Sequence, residues 1–359
     1  MFFKPQKTNM EREISEQLVT LPHILSKYIN DETNEIKLEI KEKIEKVVLV
    51  ASGSSYHCAR FGVDFIERYA KVEARAIYSS EFLYKNIIPK SENTLYVFIT
   101  QSGETSDTLK SLELVKKETN LPTLCITNQK DSSIWNLSDY KMACHAGTEK
   151  GIAATKSFTA QILCLMILTL KLAEKSNIND QNLEIKQSLK DLPNIVEKVF
   201  AIQDEIKKFA KFLAKEKIIV ITADGNSYSI AKEGALKIKE TSYKNIYAMV
   251  LGEFMHGHVA VMNNKATLIY TSAEKISERS INNINNIQKD YCPTLVIIGN
   301  SDERIKTDFH FNIDTKDEVQ KMFANILIFQ LIALETALEL NCDVDNPKGL
   351  HKIVIEKSV

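Results

Sequence analysis

Ten short apolar runs punctuate this chain, and patterns of helical spacing separate them. The first five candidate strands are Val47–Ala51, Ala74–Tyr78, Leu95–Thr100, Thr123–Thr127 and Lys141–His145. The second five are Ile218–Thr222, Asn245–Met249, Thr267–Thr271, Thr294–Gly299 and Phe309–Ile313. Strands alternating with helices call for parallel sheets covered by helices on both faces, because a parallel connection needs a crossover. The two series also resemble each other. "VLVASGSSY" (48–56) aligns with "VITADGNSY" (220–228), an offset of 220 − 48 = 172. "PTLCITN" (122–128) aligns with "PTLVIIGN" (293–300), an offset of 293 − 122 = 171. The expected fold is therefore α/β, a doubly wound domain duplicated in tandem. The expected boundaries are a connector over 1–30, a first domain over 31–180 and a second over 200–359, joined through a charged helical stretch at 174–204.

Composition narrows the class of function. With 359 residues, 44% hydrophobic and 26% charged, the chain has globular composition and room for two domains. A net charge of −1 gives no footprint for a nucleic-acid partner. The start Met1-Phe2-Phe3-Lys4-Pro5 lacks the basic segment and long apolar core of a secretory signal. Ile162–Leu170 and Met322–Leu334 are the most apolar stretches; they read as buried helices, too short or interrupted to span a bilayer. No membrane partner is expected. Cys58, Cys125, Cys144, Cys164, Cys292 and Cys342 form no CxxC pair. They read as reduced, buried thiols in a cytoplasmic protein, not as disulfides or a metal site.

In open α/β sheets, ligands bind beyond the carboxyl ends of the strands. Two such ends are rich in hydroxyls. Ser52, Ser54 and Ser55 surround Gly53 after the first run, and Thr100, Gln101, Ser102, Thr105 and Ser106 surround Gly103 after the third. Hydroxyls, backbone N–H groups and a helix start can hold a phosphate without lysine. The plainer alternative is that Ser55 and Ser106 merely cap helices. Elsewhere, Glu233, Lys237 and Glu240 fall at i, i+4 and i+7 and share one helical face, which an exposed ion pair would also explain.

"SGSSYHCA" (52–59), "TQSGETSDT" (100–108), "EKGIAATKSFTAQ" (149–161), "EGALKIKETSY" (233–243), "LGEFMHGH" (251–258) and "DNPKGLHKIVIE" (345–356) occur in this order. Together they resemble the sugar isomerase (SIS) family and, within it, the isomerase half of the glutamine–fructose-6-phosphate aminotransferases. The resemblance covers nearly the whole chain. It implies two SIS domains, each a five-stranded parallel sheet flanked by helices, the first binding phosphate and the second carrying the catalytic helix and the C-terminal tail. It implies a hexose 6-phosphate or amino-sugar phosphate held through Ser55, Thr100, Gln101, Ser102 and Thr105, with Gly53, Ser54, Ile152, Ala154 and His351 as further substrate contacts. No cofactor and no metal are implied.

The same resemblance assigns roles in the chemistry. Glu240 is the base that moves a proton between C1 and C2, and Glu233 and Lys237 position base and substrate. His256 opens the sugar ring, since imidazole can both take and give a proton near neutrality. It would reach in from a neighbouring subunit, so a homodimer with shared active sites is implied. Lys352 would form a Schiff base with the open-chain ketose, which an amine does only in its neutral form.

Three departures stand out. Relatives that use glutamine carry a whole glutaminase domain, whereas here "NMEREISEQ" (9–17) already matches the connector before the isomerase half. Ala154 stands where the synthases usually have a serine, as in the stand-alone deaminases, and His258 replaces the usual proline after "HG". The expected reaction is conversion of glucosamine 6-phosphate to fructose 6-phosphate and ammonia, or its reverse as a synthase subunit fed by free ammonia or by a separate glutaminase subunit. A deglycase for 6-phosphorylated fructosamines is the alternative enzyme. A sugar-phosphate sensor is the non-enzymatic alternative.

Overall fold

A computed structural model describes residues 8–85, 88, 91–174 and 179–352. All ten expected strands form: β1 (Lys46–Ala51), β2 (Glu73–Tyr78), β3 (Thr94–Ile99), β4 (Thr123–Thr127), β5 (Tyr140–Ala143), β6 (Ile218–Ala223), β7 (Ile246–Val250), β8 (Ala266–Ser272), β9 (Thr294–Gly299) and β10 (Phe309–Phe311). They build two five-stranded sheets, ordered β2-β1-β3-β4-β5 and β7-β6-β8-β9-β10. Every pairing within them is parallel. The two orders are one topology repeated, as the sequence offset requires.

The strands form where β-branched and aromatic residues run together, and β3, wholly buried, reads Thr-Leu-Tyr-Val-Phe-Ile. Alternation then sorts the faces. Val48 and Val50 of β1 join Tyr96 and Phe98 of β3 against Leu112 and Val115 of the Ser106–Glu118 helix. In the second sheet, Val220, Leu268, Tyr270 and Leu295 pack with Ile281, Ile284 and Ile287, spaced along one face of the Glu278–Tyr291 helix.

Close helix packing is duplicated too. At Gly62 in the Gly53–Phe65 helix, an added Cβ would come 2.8 Å from Leu165 of the Lys156–Glu174 helix. At Gly234 in the Ser227–Ser242 helix, 234 − 62 = 172 residues on, it would come 2.5 Å from Phe329 of the Glu318–Glu339 helix. Each glycine lets a central helix lie against a long apolar one. Those apolar helices, 19 and 22 residues long, are long and apolar enough to cross a membrane, contrary to expectation from the shorter runs inside them. Each has 89% of its most apolar window buried within protein, which is what a core helix requires.

The chain forms two compact units. Of the described residues, those within 19–149 and 156–190 and, of the tail, 351–352 form the first-sheet unit, and 8–18, 150–155 and 191–350 form the second-sheet unit. Lys352, placed with the second domain on sequence grounds, thus groups with the first sheet. The helical connector is present as Asn179–Lys190, Leu192–Ala201 and Gln203–Leu213. Four thiols, Cys58, Cys125, Cys144 and Cys164, are buried as expected, but Cys342 is half-buried and Cys292 is exposed. Cys292 ends the Glu278–Tyr291 helix in the left-handed conformation, at φ 50°, just before β9.

Candidate functional site

In an order of this kind, the connections after β1 and β3 leave in opposite directions, and a crevice opens between their carboxyl ends. Ala51 pairs with Ile99, so Ser52 and Thr100 begin their loops in adjacent register. Gly53 turns the first loop at φ +56°, a conformation glycine adopts without strain, and starts the helix that carries Ser54 and Ser55 in its first turn. In the second loop Thr100 and Ser102 are buried, Thr100 Oγ1 lies 2.8 Å from Thr105 Oγ1, and Ser102 Oγ accepts from the Glu104 N–H at 3.2 Å.

The plainer capping alternative does not hold for the residues it named. Ser52 and Thr105 are the N-caps, not Ser55 and Ser106, and neither side chain accepts a hydrogen bond from its helix. Thr105 instead pairs its hydroxyl with that of Thr100 across the turn.

A cavity of about 430 Å³ lies here, with Gln101, Ser102, Ser132, Glu149 and Lys352 among its walls. Thr100, Thr105 and Ser55 are not among its walls. Lys352 donates from Nζ to Glu149 Oε2 at 2.6 Å. Glu149 also accepts from the Ser157 N–H (3.1 Å) and Oγ–H (2.6 Å) at the start of the Lys156–Glu174 helix. Glu104 and Asp131 are walls of the same cavity, and Glu104 accepts from Ser133 N–H and Oγ–H at 2.7 and 2.8 Å. His351 is exposed.

The second-sheet unit carries the other candidates. Lys237 Nζ lies 2.5 Å from Glu240 Oε2 and 3.4 Å from Glu233 Oε1. Side-chain exposure is 2% for Lys237, 4% for Glu233 and 23% for Glu240, so this is a buried triad with one accessible carboxylate. The reading as an exposed surface pair is therefore corrected. A lysine buried this deeply is tolerable only between acids, and its hold on Oε2 fixes the Glu240 rotamer. Among the described residues, no hydrogen bond reaches Glu240 Oε1.

Ile152 and Ala154 lie half-buried on the 150–155 loop of the same unit. Glu13, itself buried, accepts from the N–H groups of Lys150 and Gly151. The Ile152 N–H donates to Asp345 O at 3.2 Å, while the Asp345 carboxylate accepts from Asn9 and Met10 N–H at 2.8 and 2.9 Å. His256 is exposed after the Leu251–Phe254 turn, next to Gly257 at φ +98°, and His258 is exposed at the start of the following 3-10 turn. Glu13, Glu149 and Asp345 escaped the sequence reading. Glu149 and Asp345 stood inside quoted motifs, but acidic residues with no partner in sequence give no signal of what they hold.

Two identical sheets of this order, hydroxyl-lined at one switch point, define a duplicated doubly wound α/β protein with a built polar pocket. The SIS domain family matches residues 40–171 and 212–340, and the chain belongs to that family. It is 34% identical over 351 residues to the glutamine–fructose-6-phosphate aminotransferase (isomerizing) of Campylobacter jejuni, covering 96% of this chain and 58% of the relative. The corresponding protein of Aquifex aeolicus is 31% identical over 348 residues, 96% of this chain and 57% of its own. The chain thus spans under three-fifths of the curated relatives it matches, and it is homologous to their isomerase part. Among solved structures, the C-terminal domain of glucosamine-fructose-6-phosphate aminotransferase from Francisella tularensis superposes with TM-score 0.90 at 29% identity, covering 97% of this chain and 100% of that one. A glucosamine-6-phosphate deaminase from Thermotoga maritima shares the fold, with TM-score 0.77 at 21% identity and coverage of 97% and 99%.

Proposed function

We propose that this chain is a phosphosugar isomerase acting on glucosamine 6-phosphate and fructose 6-phosphate, and that alone it runs as a deaminase. The observation that carries the reading is the cavity of about 430 Å³ walled by Gln101, Ser102 and Lys352 at the switch point of the first sheet. A hexose 6-phosphate needs neutral donors for its phosphate and an amine near its carbonyl, and both are within this one unit. Names of relatives that act on fructose 6-phosphate and glucosamine 6-phosphate support the same substrate class.

The roles follow from the groups. Ser55, Thr100, Gln101, Ser102 and Thr105 hold the phosphate, with Gly53 and Ser54 shaping the loop. Exposed His256, supplied by a second subunit of a homodimer, opens the ring by moving the proton of the anomeric hydroxyl to the ring oxygen as the C1–O5 bond breaks. Glu240 carries the proton between C1 and C2, held in place by Lys237 and through it by Glu233. The C2 amine becomes an imine, water adds, and ammonia leaves. Lys352 forms the equivalent imine with the ketose, and Ile152, Ala154 and His351 contact the sugar.

The test is incubation of the purified chain with glucosamine 6-phosphate, measuring ammonia and fructose 6-phosphate together. Release of both in equal amounts at a catalytic rate is expected. Release of neither overturns the deaminase reading. Amination of fructose 6-phosphate by free ammonia would then point to a synthase subunit, and cleavage of phosphorylated fructosamines to a deglycase.

A further inference from the structure

Glu149 has no part in the steps above, yet three donors converge on it. Its side chain is 0% exposed, it accepts from Ser157 N–H and Oγ–H at 3.1 and 2.6 Å, and Lys352 Nζ reaches Oε2 at 2.6 Å. The two Ser157 bonds fix the carboxylate at the first turn of the 19-residue Lys156–Glu174 helix, whose N-terminus favours a negative charge there. Lys352 is different in kind: a flexible four-carbon stem near the chain end, its side chain 24% exposed. A nucleophile on such a stem is useful only if its amine is confined where the carbonyl will arrive. Both residues are walls of the one cavity that also presents Gln101 and Ser102.

We propose that Glu149 is a positioning residue for Lys352: the rigid, buried carboxylate tethers the lysine ammonium in the sugar-phosphate pocket before substrate binds. The inference rests on the reading that Lys352 forms an imine with the ketose. The contact belongs to the resting state. When the imine forms, the ammonium passes one proton to Glu149 Oε2, the acceptor already in hydrogen-bond contact. The freed amine adds to the C2 carbonyl carbon, and the carbinolamine loses water to leave the C=N bond.

The full chain and two variants, Glu149→Gln and Ser157→Ala, test the tether. Glu149→Gln keeps size and hydrogen-bonding capacity but removes the charge. Ser157→Ala removes one bond to the carboxylate and leaves its charge. Three quantities are read by peptide mass spectrometry and melting: acetylation of Lys352 by acetic anhydride without ligand, borohydride-trapped fructose 6-phosphate on Lys352, and thermal stability. In Glu149→Gln, acetylation of Lys352 should rise several-fold and the trapped adduct should form at least about tenfold more slowly, the loss of a confined nucleophile. Apparent affinity for fructose 6-phosphate should stay within about threefold, because the phosphate donors are untouched. Ser157→Ala should lower the melting temperature with a much smaller loss of adduct. Unchanged acetylation in Glu149→Gln overturns the tether. Equal loss of adduct in both variants also overturns it, since the effect would then be the stability of the helix start. If the unaltered chain gives no adduct, Lys352 leaves the proposed reaction, while the acetylation rates still decide whether Glu149 holds it.

Discussion

The loops after β1 and β6 share a backbone and differ in almost everything else. Gly53 and Gly225, 172 residues apart, turn at φ +56° and +54°. In the first loop Ser52, Ser54 and Ser55 follow the strand; in the second, Asp224, Asn226 and Ser227 do. Asp224 is taken up internally, accepting from Ser280 Oγ–H at 2.8 Å and Tyr270 OH at 3.4 Å. Burial first, then the Asp224 charge, holds the Tyr270 phenol well above its ordinary range, so it stays a donor. Ser227 Oγ accepts from the Ala273 N–H at 3.0 Å.

The loops after β3 and β8 repeat the contrast. Ser277, at the position equivalent to Thr105, caps its helix by accepting from the Ser280 N–H at 3.1 Å, whereas Thr105 makes no such bond. In the second unit Asp224, Ser227 and Ser277 bond to neighbouring residues, while buried Asn226 Oδ1 has no partner among the described residues. In the first unit Thr100 and Thr105 pair with each other and Ser102 takes the Glu104 N–H. Duplication preserved the turn geometry, because packing depends on it.

The contrast can be broken in several places, beginning where the effect should be largest. Glu240→Gln should lower solvent proton exchange at the sugar by about 10²-fold or more, the usual contribution of a general base. Binding of hexose 6-phosphate should be nearly unaltered, as read by exchange into deuterated water beside calorimetry. Unchanged exchange would remove Glu240 from the reaction.

Ser102→Ala combined with Thr105→Ala should weaken hexose 6-phosphate binding by tenfold or more, given about 1.5–3 kcal/mol for each hydrogen bond to a charged group. The unphosphorylated sugar should bind as before; an equal loss for both would place these hydroxyls elsewhere than on phosphate.

Ser277→Ala sharpens the same point from the other side. Loss of a cap should cost about 1 kcal/mol of stability with no change in phosphosugar affinity. A fall in affinity would give the second loop a ligand of its own.

The smallest effect concerns the thiols. Burial pushes Cys125 up to about 11, and its contact with Cys164, then burial, holds Cys144 well above its ordinary value. Both belong to the first-sheet unit, while exposed Cys292 belongs to the second. Iodoacetamide at pH 8 should therefore modify Cys292 first and leave Cys125 and Cys144 intact until unfolding, as mass mapping would show.

Strands were legible because burial on both faces writes itself as an unbroken apolar run, and all ten were found within a few residues. The duplicated helix contact at Gly62 and Gly234 was present in the offset but silent, since a glycine in a helix does not announce what it touches. Capping misled: Ser55 and Ser106 were offered as caps, yet Ser52 and Thr105 occupy those positions, because the helix start is set by the turn before it. Glu233–Lys237–Glu240 was visible as spacing, but spacing could not tell an exposed pair from a buried triad.

The sequence by itself therefore determined the sheets, their repetition and which loops are rich in hydroxyls, all matters of local pattern and of order along the chain. Tertiary structure alone decided which of those hydroxyls pair with one another and which acids have taken partners. It also placed Glu149 beside Lys352, a contact made across 203 residues of chain. A hydrogen bond made at such separation leaves no periodicity in the residues that make it. Only the folded backbone brings its two ends together.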